Sequence, residues 1–348
     1  MFYALLRAGE IEIWRFVEGV FGIGPLFLQF LNGIAAYFLI PFLVRTEKDR
    51  KIFLGVLVLA GLFPLTTGLL QIGGFIEGRT IRTTGDLIRI SGLYYDSTNM
   101  RMYSLQTLVA IVGLLFYSKD SIRSRWNWKY AGMLIMIPLL LIVIYYGYSK
   151  AAVAIVLSWT VLLCLFKLKS VYLILFVTGL SVLFTTIDET PLALDRLFHK
   201  EISFAEGTLA EENEYTLLGG RFKRWEDYLS RFSDADLMDK LLCVQYSIGI
   251  MAHNDFVRVL IGTGVLGLLS YSWVLLSIIR RVVSEAITSK TGLSISALMI
   301  LVSFLIDSLG LVPLIYPGYC WVTFGLISLS LNRNLFANDF QTDKKKNE

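Results

Sequence analysis

Apolar residues along this chain come in long runs, and polar residues collect in the gaps between them. Runs long enough to cross a bilayer, which takes about 20 residues in a helix, lie near 21–44, 52–73, 101–117, 130–148, 151–166, 171–187, 255–279, 293–311 and 316–331. The pattern predicts an all-α polytopic membrane protein with about nine transmembrane helices. Two gaps are very short: Ser149-Lys150 alone separates the fourth run from the fifth, and a stretch from Pro313 to Pro317 separates the last two. One gap is long. Residues 188–254 form a polar segment of about 67 residues, beyond the length of an ordinary connector. This predicts a large, partly helical loop. The chain therefore divides into N-terminal transmembrane helices (1–187), the large loop (188–254), and C-terminal transmembrane helices with a tail (255–348).

Composition agrees with the pattern. Of 348 residues, 55% are hydrophobic and 17% charged, and the mean hydropathy is +0.63. A soluble domain of this size could not hide so much apolar surface. The small net charge of +4 conceals an asymmetry between loops. Arg45, Lys48, Arg50 and Lys51 share one loop, and Lys119, Arg123, Arg125 and Lys129 another. Lys167 with Lys169, then Arg280, Arg281 and Lys290, then Arg333 with Lys344, Lys345 and Lys346, continue the series. The predicted spans place all of these on one side, which marks that side as cytoplasmic. The opposite side holds 74–100, the Ser149-Lys150 turn, the large loop and 311–316. The basic excess thus reflects topology and does not suggest nucleic acid. Residues 1–20 carry Arg7, Glu10, Glu12, Arg15 and Glu18, unlike a cleavable signal peptide. They are expected to lie along the interface as an amphipathic helix, or else the natural chain begins further upstream.

Cys164, Cys243 and Cys320 are scattered, and so are the two histidines, His199 and His253. Neither a disulfide framework nor a metal site is expected from such spacing, and no cofactor motif is present.

The large loop carries the candidate chemistry. Phe222, Trp225, Tyr228, Leu229 and Phe232 recur at helical spacing, with Arg221, Arg224 and Arg231 interleaved. Arg221 and Arg224, three apart, lie on neighbouring positions of one helix face. Two guanidiniums there make a phosphate clamp, because each offers a planar fork of donors. Such a helix can equally rest on anionic headgroups. Gly219-Gly220 precedes it as the turn into the helix. Downstream, His253 and Asn254 open the next apolar run, with Gly262, Gly264 and Gly267 inside it. A neutral imidazole at that boundary can accept a proton from a sugar hydroxyl. Close helix packing is the expected main role of the glycines. Arg258, one turn beyond Asn254, either faces a cavity or snorkels to the interface. Asp307, Arg82 and Arg89 are further candidates for a cavity lining.

Gly220-Arg221-x-x-x-Trp225 in a large loop, followed by His253-Asn254, nine residues and Gly264-x-x-Gly267, resembles the O-antigen ligase and O-antigen polymerase superfamily of bacterial integral membrane glycosyltransferases. The resemblance is specific over 219–267 and otherwise rests on the hydropathy profile. Asp96-Ser97-Thr98-Asn99 resembles that family's asparagine-containing external turn. Tyr148-Ser149-Lys150-Ala151-Ala152 resembles its Ser-Arg-small-small element, with Lys150 in place of the arginine; lysine keeps the charge and loses the bidentate fork.

The resemblance implies a polyprenyl-pyrophosphate-linked glycan as donor and a hydroxyl of a second glycan as acceptor. It implies transfer without nucleotide sugar, metal or cofactor, on the external face of the bacterial cytoplasmic membrane. His253 would be the base, with Arg221 and Arg224 stabilising charge on the departing pyrophosphate. Lys150, Asn254, Arg258, Trp225 and Asn99 would bind substrate. A polymerase of O-antigen, capsule or exopolysaccharide repeat units is the favoured member, with a chain-length regulator or flippase as candidate partners. The alternatives are a ligase that hands glycan to lipid A core, a polysaccharide transporter or flippase, and a non-enzymatic assembly subunit. Transport predicts inverted repeats and charges near the midplane, whereas the charges here cluster toward one surface.

Overall fold

In the computed structural model, residues 23–78, 82–84, 87–116, 128–165, 198, 202–203, 206, 217–242 and 252–332 are described. Their helices are α1 (Ile23–Leu43), α2 (Glu47–Ala60), α3 (Leu62–Ile72), α4 (Ser97–Leu115), α5 (Trp128–Tyr146) and α6 (Lys150–Leu165). After these come α7 (Leu217–Asp234), α8 (Leu237–Leu242), α9 (Asp255–Ser289), α10 (Gly292–Gly310) and α11 (Pro317–Leu331). Three rods are long and apolar enough to cross a membrane: Glu47–Ile72, Asp255–Ser289 and Gly292–Gly310. Four shorter apolar helices, Gln29–Leu43, Ala131–Tyr146, Lys150–Leu165 and Pro317–Leu331, accompany them. The expected run at 171–187, the N-terminal segment 1–20 and the basic tail lie outside the described residues.

Several expectations need correction. The described chain is helical except for one antiparallel hairpin, β1 (Arg82–Thr84) with β2 (Leu87–Arg89), inside a segment read as plain loop. The second apolar run starts earlier than expected, because Thr46 and Asp49 form a reciprocal capping box that begins α2 at Glu47. Lys48, Arg50 and Lys51 therefore sit on helix rather than in a loop, and Arg50 is buried. α9 runs on to Ser289, ten residues past the expected end at Ile279. The residues after Arg281 contain no glycine or proline, and the chain turns only at Lys290, which has φ 47°. Asp96-Ser97-Thr98-Asn99, expected as a turn, starts a helix: Asp96 Oδ1 accepts the Asn99 amide at 2.9 Å, which caps α4.

The chain folds into two compact units. One holds 37–199, 282–303 and 325–348. Its central helix is α4, buried around most of its circumference even though Arg101, Ser104, Gln106 and Thr107 are among its buried residues. The Ser104 and Thr107 hydroxyls donate to carbonyls one turn back, Met100 and Tyr103, each at 2.8 Å, so both are satisfied within the helix. Trp159 Nε1 donates to the Met299 carbonyl and Ser296 Oγ to that of Val109, both at 2.8 Å, which ties α6 and α4 to the first half of α10. Gln71 Oε1 accepts from the amides of Ser91 and Gly92, at 2.9 and 2.7 Å, and so anchors the segment after the hairpin.

The other unit holds 1–36, 200–281 and 304–324. It contains α7, α8, most of α9 and the end of α10. α1 packs here on α11: Gly33 faces the Phe324 ring, and Trp321 Nε1 donates to Asn32 Oδ1 at 3.4 Å.

The charge asymmetry sets an expected topology. With Cys243 replaced, a cysteine at the exposed Glu206 position reacts with a membrane-impermeant maleimide added outside the cells, and a cysteine at Arg125 does not. Labelling of both from the same side contradicts the assigned orientation.

Candidate functional site

The α7 helix forms because its aromatic residues repeat at helical spacing and dock on one side. Tyr228 and Phe232 pack, with Val257, against buried Ala252 and Ile261. Trp225 adds a directed contact: its Nε1 donates to the Ala252 carbonyl at 2.7 Å. That bond clamps the arginine-bearing helix to the residue just before His253. Expected to bind substrate, Trp225 has its one polar atom engaged inside the protein. Gly220 lies within α7 rather than ahead of it, and with φ 76° it bends the first turn.

The basic residues of α7 are not equivalent. Lys223 Nζ lies 3.0 Å from Glu226 and 3.8 Å from Asp227. The Glu226 hydrogen bond and charge, followed by the Asp227 charge, hold its ammonium above the ordinary lysine range. Arg224 is exposed, whereas Arg221 is half-buried. The Arg221 guanidinium reaches the end of α10, where its Nη1 stands 3.3 Å from the position a Cβ would take on Gly310. A cation is favoured there, beside the last carbonyls of a helix.

Asn254 meets the same turn of α10. It begins α9 as a cap, with Oδ1 accepting the Val257 amide at 3.0 Å. Its Nδ2 donates to the Leu309 carbonyl at 3.1 Å. Arg221 and Asn254 thus converge on Leu309 and Gly310, with His253 next to Asn254 in sequence. His253 is half-buried and has φ 46°, left-handed backbone that a non-glycine residue rarely adopts. Its neighbours on both sides are fixed, by Trp225 through Ala252 and by Leu309 through Asn254. Such over-determination is what holds an unfavourable backbone in place.

Arg258 neither snorkels nor stands alone. It is 5% exposed, its Nη2 donates to Gln29 Oε1, and its Nη1 lies 3.8 Å from Asp255 Oδ1. Asp255 is fully buried; its carboxylate also faces the Ser308 hydroxyl at 3.4 Å and the Leu314 amide. Asp307 is buried in the same unit. Asp255, Gln29 and Ser308 are site components that the sequence reading passed over. The Asp255-x-x-Arg258 spacing was a usable signal, since residues three apart share a helix face.

The glycines do more than pack helices. Gly264 has φ 67° and ψ −173°, a break inside α9, and the Leu241–Leu242 main chain of α8 fills the space a Cβ would need. Gly267 faces its own Thr263 side chain.

Lys150 and Asn99 belong to the other unit. Lys150 is the first residue of α6, and its Nζ stands 5.5 Å from the centre of the Phe198 ring, a cation–π distance. Asn99 lies in the first turn of α4. Arg89 Nε, also there, donates to the Gly147 carbonyl at 2.9 Å. His199 lies outside the described residues. Among the described residues no three histidine, cysteine or acidic side chains group as a metal site requires.

No protein-family model and no curated protein matches the chain.

Proposed function

We propose that the chain is a membrane glycosyltransferase that polymerises polyprenyl-pyrophosphate-linked oligosaccharide repeat units, in O-antigen, capsule or exopolysaccharide assembly. It would be a multi-pass protein of about nine spans in the bacterial cytoplasmic membrane, working on the external face. The observation that carries this reading is the convergence on the last turn of α10. Arg221 stands beside Gly310 and Asn254 donates to Leu309, so one turn brings together the arginine helix and the head of the His253 helix.

The chemistry asks for those two groups. The bond from the sugar's anomeric carbon to the pyrophosphate oxygen breaks, and its electron pair leaves with the pyrophosphate. Arg221, with Arg224 exposed beside it, supplies fixed positive charge as that negative charge grows. A new bond forms between the anomeric carbon and the acceptor hydroxyl oxygen, whose proton passes to the His253 imidazole. The donor's lipid keeps the reaction at the membrane, and the acceptor approaches from water. Arg258 and Asp255 act as an internal brace beneath Asn254.

The test is transfer by purified protein in liposomes, with chain length read on a gel. Arg224→Ala should lower turnover by about 10²-fold, the loss seen when one preorganised donor is removed, with donor binding little changed. Arg221→Ala should do the same and also lower the melting temperature, because Arg221 supports the α10 end. Lysine at either position should rescue only in part. Normal polymer from both alanine variants would make these arginines surface anchors and remove the clamp.

A further inference from the structure

α8 is a short helix that exposes the two apolar side chains of its first turn. Leu237 is 71% and Met238 52% exposed. A helix in a water-facing loop has no reason to present both to water, and its position in the unit gives another explanation. One turn later, the Leu241–Leu242 main chain lies against Gly264 of α9. Gly264 is not at the wet end of α9. Between Gly264 and the exposed pair Arg280-Arg281 the helix rises roughly 24 Å at 1.5 Å per residue. The hydrocarbon core of a bilayer is about 30 Å thick. With Arg280 and Arg281 at the cytoplasmic edge of the hydrocarbon, Gly264 falls about 6 Å inside its external edge. α8 is held at that depth by main-chain contact. The lipid-facing side of α9 begins at the same level, with Leu266 50% and Leu269 61% exposed. At the start of α8, Asp236 Oδ1 caps the Asp239 amide at 2.8 Å and is placed to mark the headgroup level.

We infer that α8 is a membrane-inserted elbow of the large loop. Leu237 and Met238 are covered by acyl chains of the external leaflet, continuous with the lipid-facing side of α9. The partner is the bilayer itself rather than a second protein. The elbow fixes the height of α7, which precedes it by two residues, and so holds the arginine helix at the headgroup level. The inference rests on α9 spanning the membrane and not on any transfer chemistry.

Fluorescence depth measurement tests it. Met238→Cys is labelled with NBD in a chain whose three native cysteines are replaced by alanine, and reconstituted in phosphatidylcholine liposomes. Its emission should be blue-shifted. Lipids brominated near the head of the acyl chain should quench it more than lipids brominated near the end, and aqueous iodide should not quench it. The same label at Ser230, exposed on α7, should give water-like emission that iodide quenches. A second readout leaves the cysteines in place: benzoylphenylalanine at 238 should photocrosslink to lipid, detected as a lipid-mass adduct. Iodide quenching at 238 overturns the inference. So does a label shielded from both iodide and brominated lipid, which means that protein covers the site.

Discussion

Replacing His253 by glycine should abolish transfer while leaving the fold at least as stable as the parent. The loss of rate is expected at roughly 10²–10⁴-fold, the usual contribution of a positioned general base. His253 has φ 46°, a left-handed backbone that costs a residue with a Cβ about 1–2 kcal/mol and that glycine largely avoids. The glycine variant therefore separates chemistry from folding. In the parent, the rate should fall toward acid pH, since only the neutral ring accepts a proton. That acid limb should be missing from the glycine variant. A glycine variant with parental rate and the same limb would place the base elsewhere.

The second large effect is expected at Gly264. Its φ of 67° and ψ of −173° lie in a region that glycine alone uses freely, at a cost of about 1–3 kcal/mol to other residues. An alanine methyl would also occupy the Leu241–Leu242 main chain, and main chain cannot swing aside as a side-chain tip can. Gly264→Ala should therefore lower the melting temperature in detergent by several degrees and release α8 from α9. Limited proteolysis should then cut near 237–242 before it cuts elsewhere. Gly55 is the control, since nothing stands within 4 Å of its missing Cβ; alanine there should be neutral or mildly stabilising. An unchanged melting temperature and cleavage pattern in Gly264→Ala would show that the break in α9 does not depend on glycine.

The parts of this architecture legible in the sequence are those set by local pattern. The spacing from Phe222 to Phe232 places a helix where α7 lies, and the apolar runs locate most helices to within a few residues. His253-Asn254 reads as a helix start, and Asn254 is that cap. The missed features depend on partners distant in the chain. A glycine in an apolar helix looks like a packing position; only the arrival of α8 explains why Gly264 breaks α9. Arg258 alone poses a choice between cavity and interface, and its engagement by Gln29 and Asp255 needed partners the pattern does not pair. Trp225 reads as a substrate-binding residue, and its hydrogen bond to the Ala252 carbonyl is a long-range partner that the pattern does not show. The hairpin had a local signal, Gly85-Asp86 between short alternating runs, outweighed by the membrane pattern around it.

The central claim is that a glycan moves between carriers at the end of α10 with polyprenyl pyrophosphate as the leaving group. Release of that leaving group is its most direct measure. Purified protein in liposomes would receive lipid-linked repeat units and no nucleotide sugar, and both free polyprenyl pyrophosphate and glycosidic linkages would be counted. The account predicts one polyprenyl pyrophosphate released per linkage formed, with release abolished in the His253→Gly variant. Intact lipid-linked units that change leaflet with no pyrophosphate released would contradict it and make the chain a transporter.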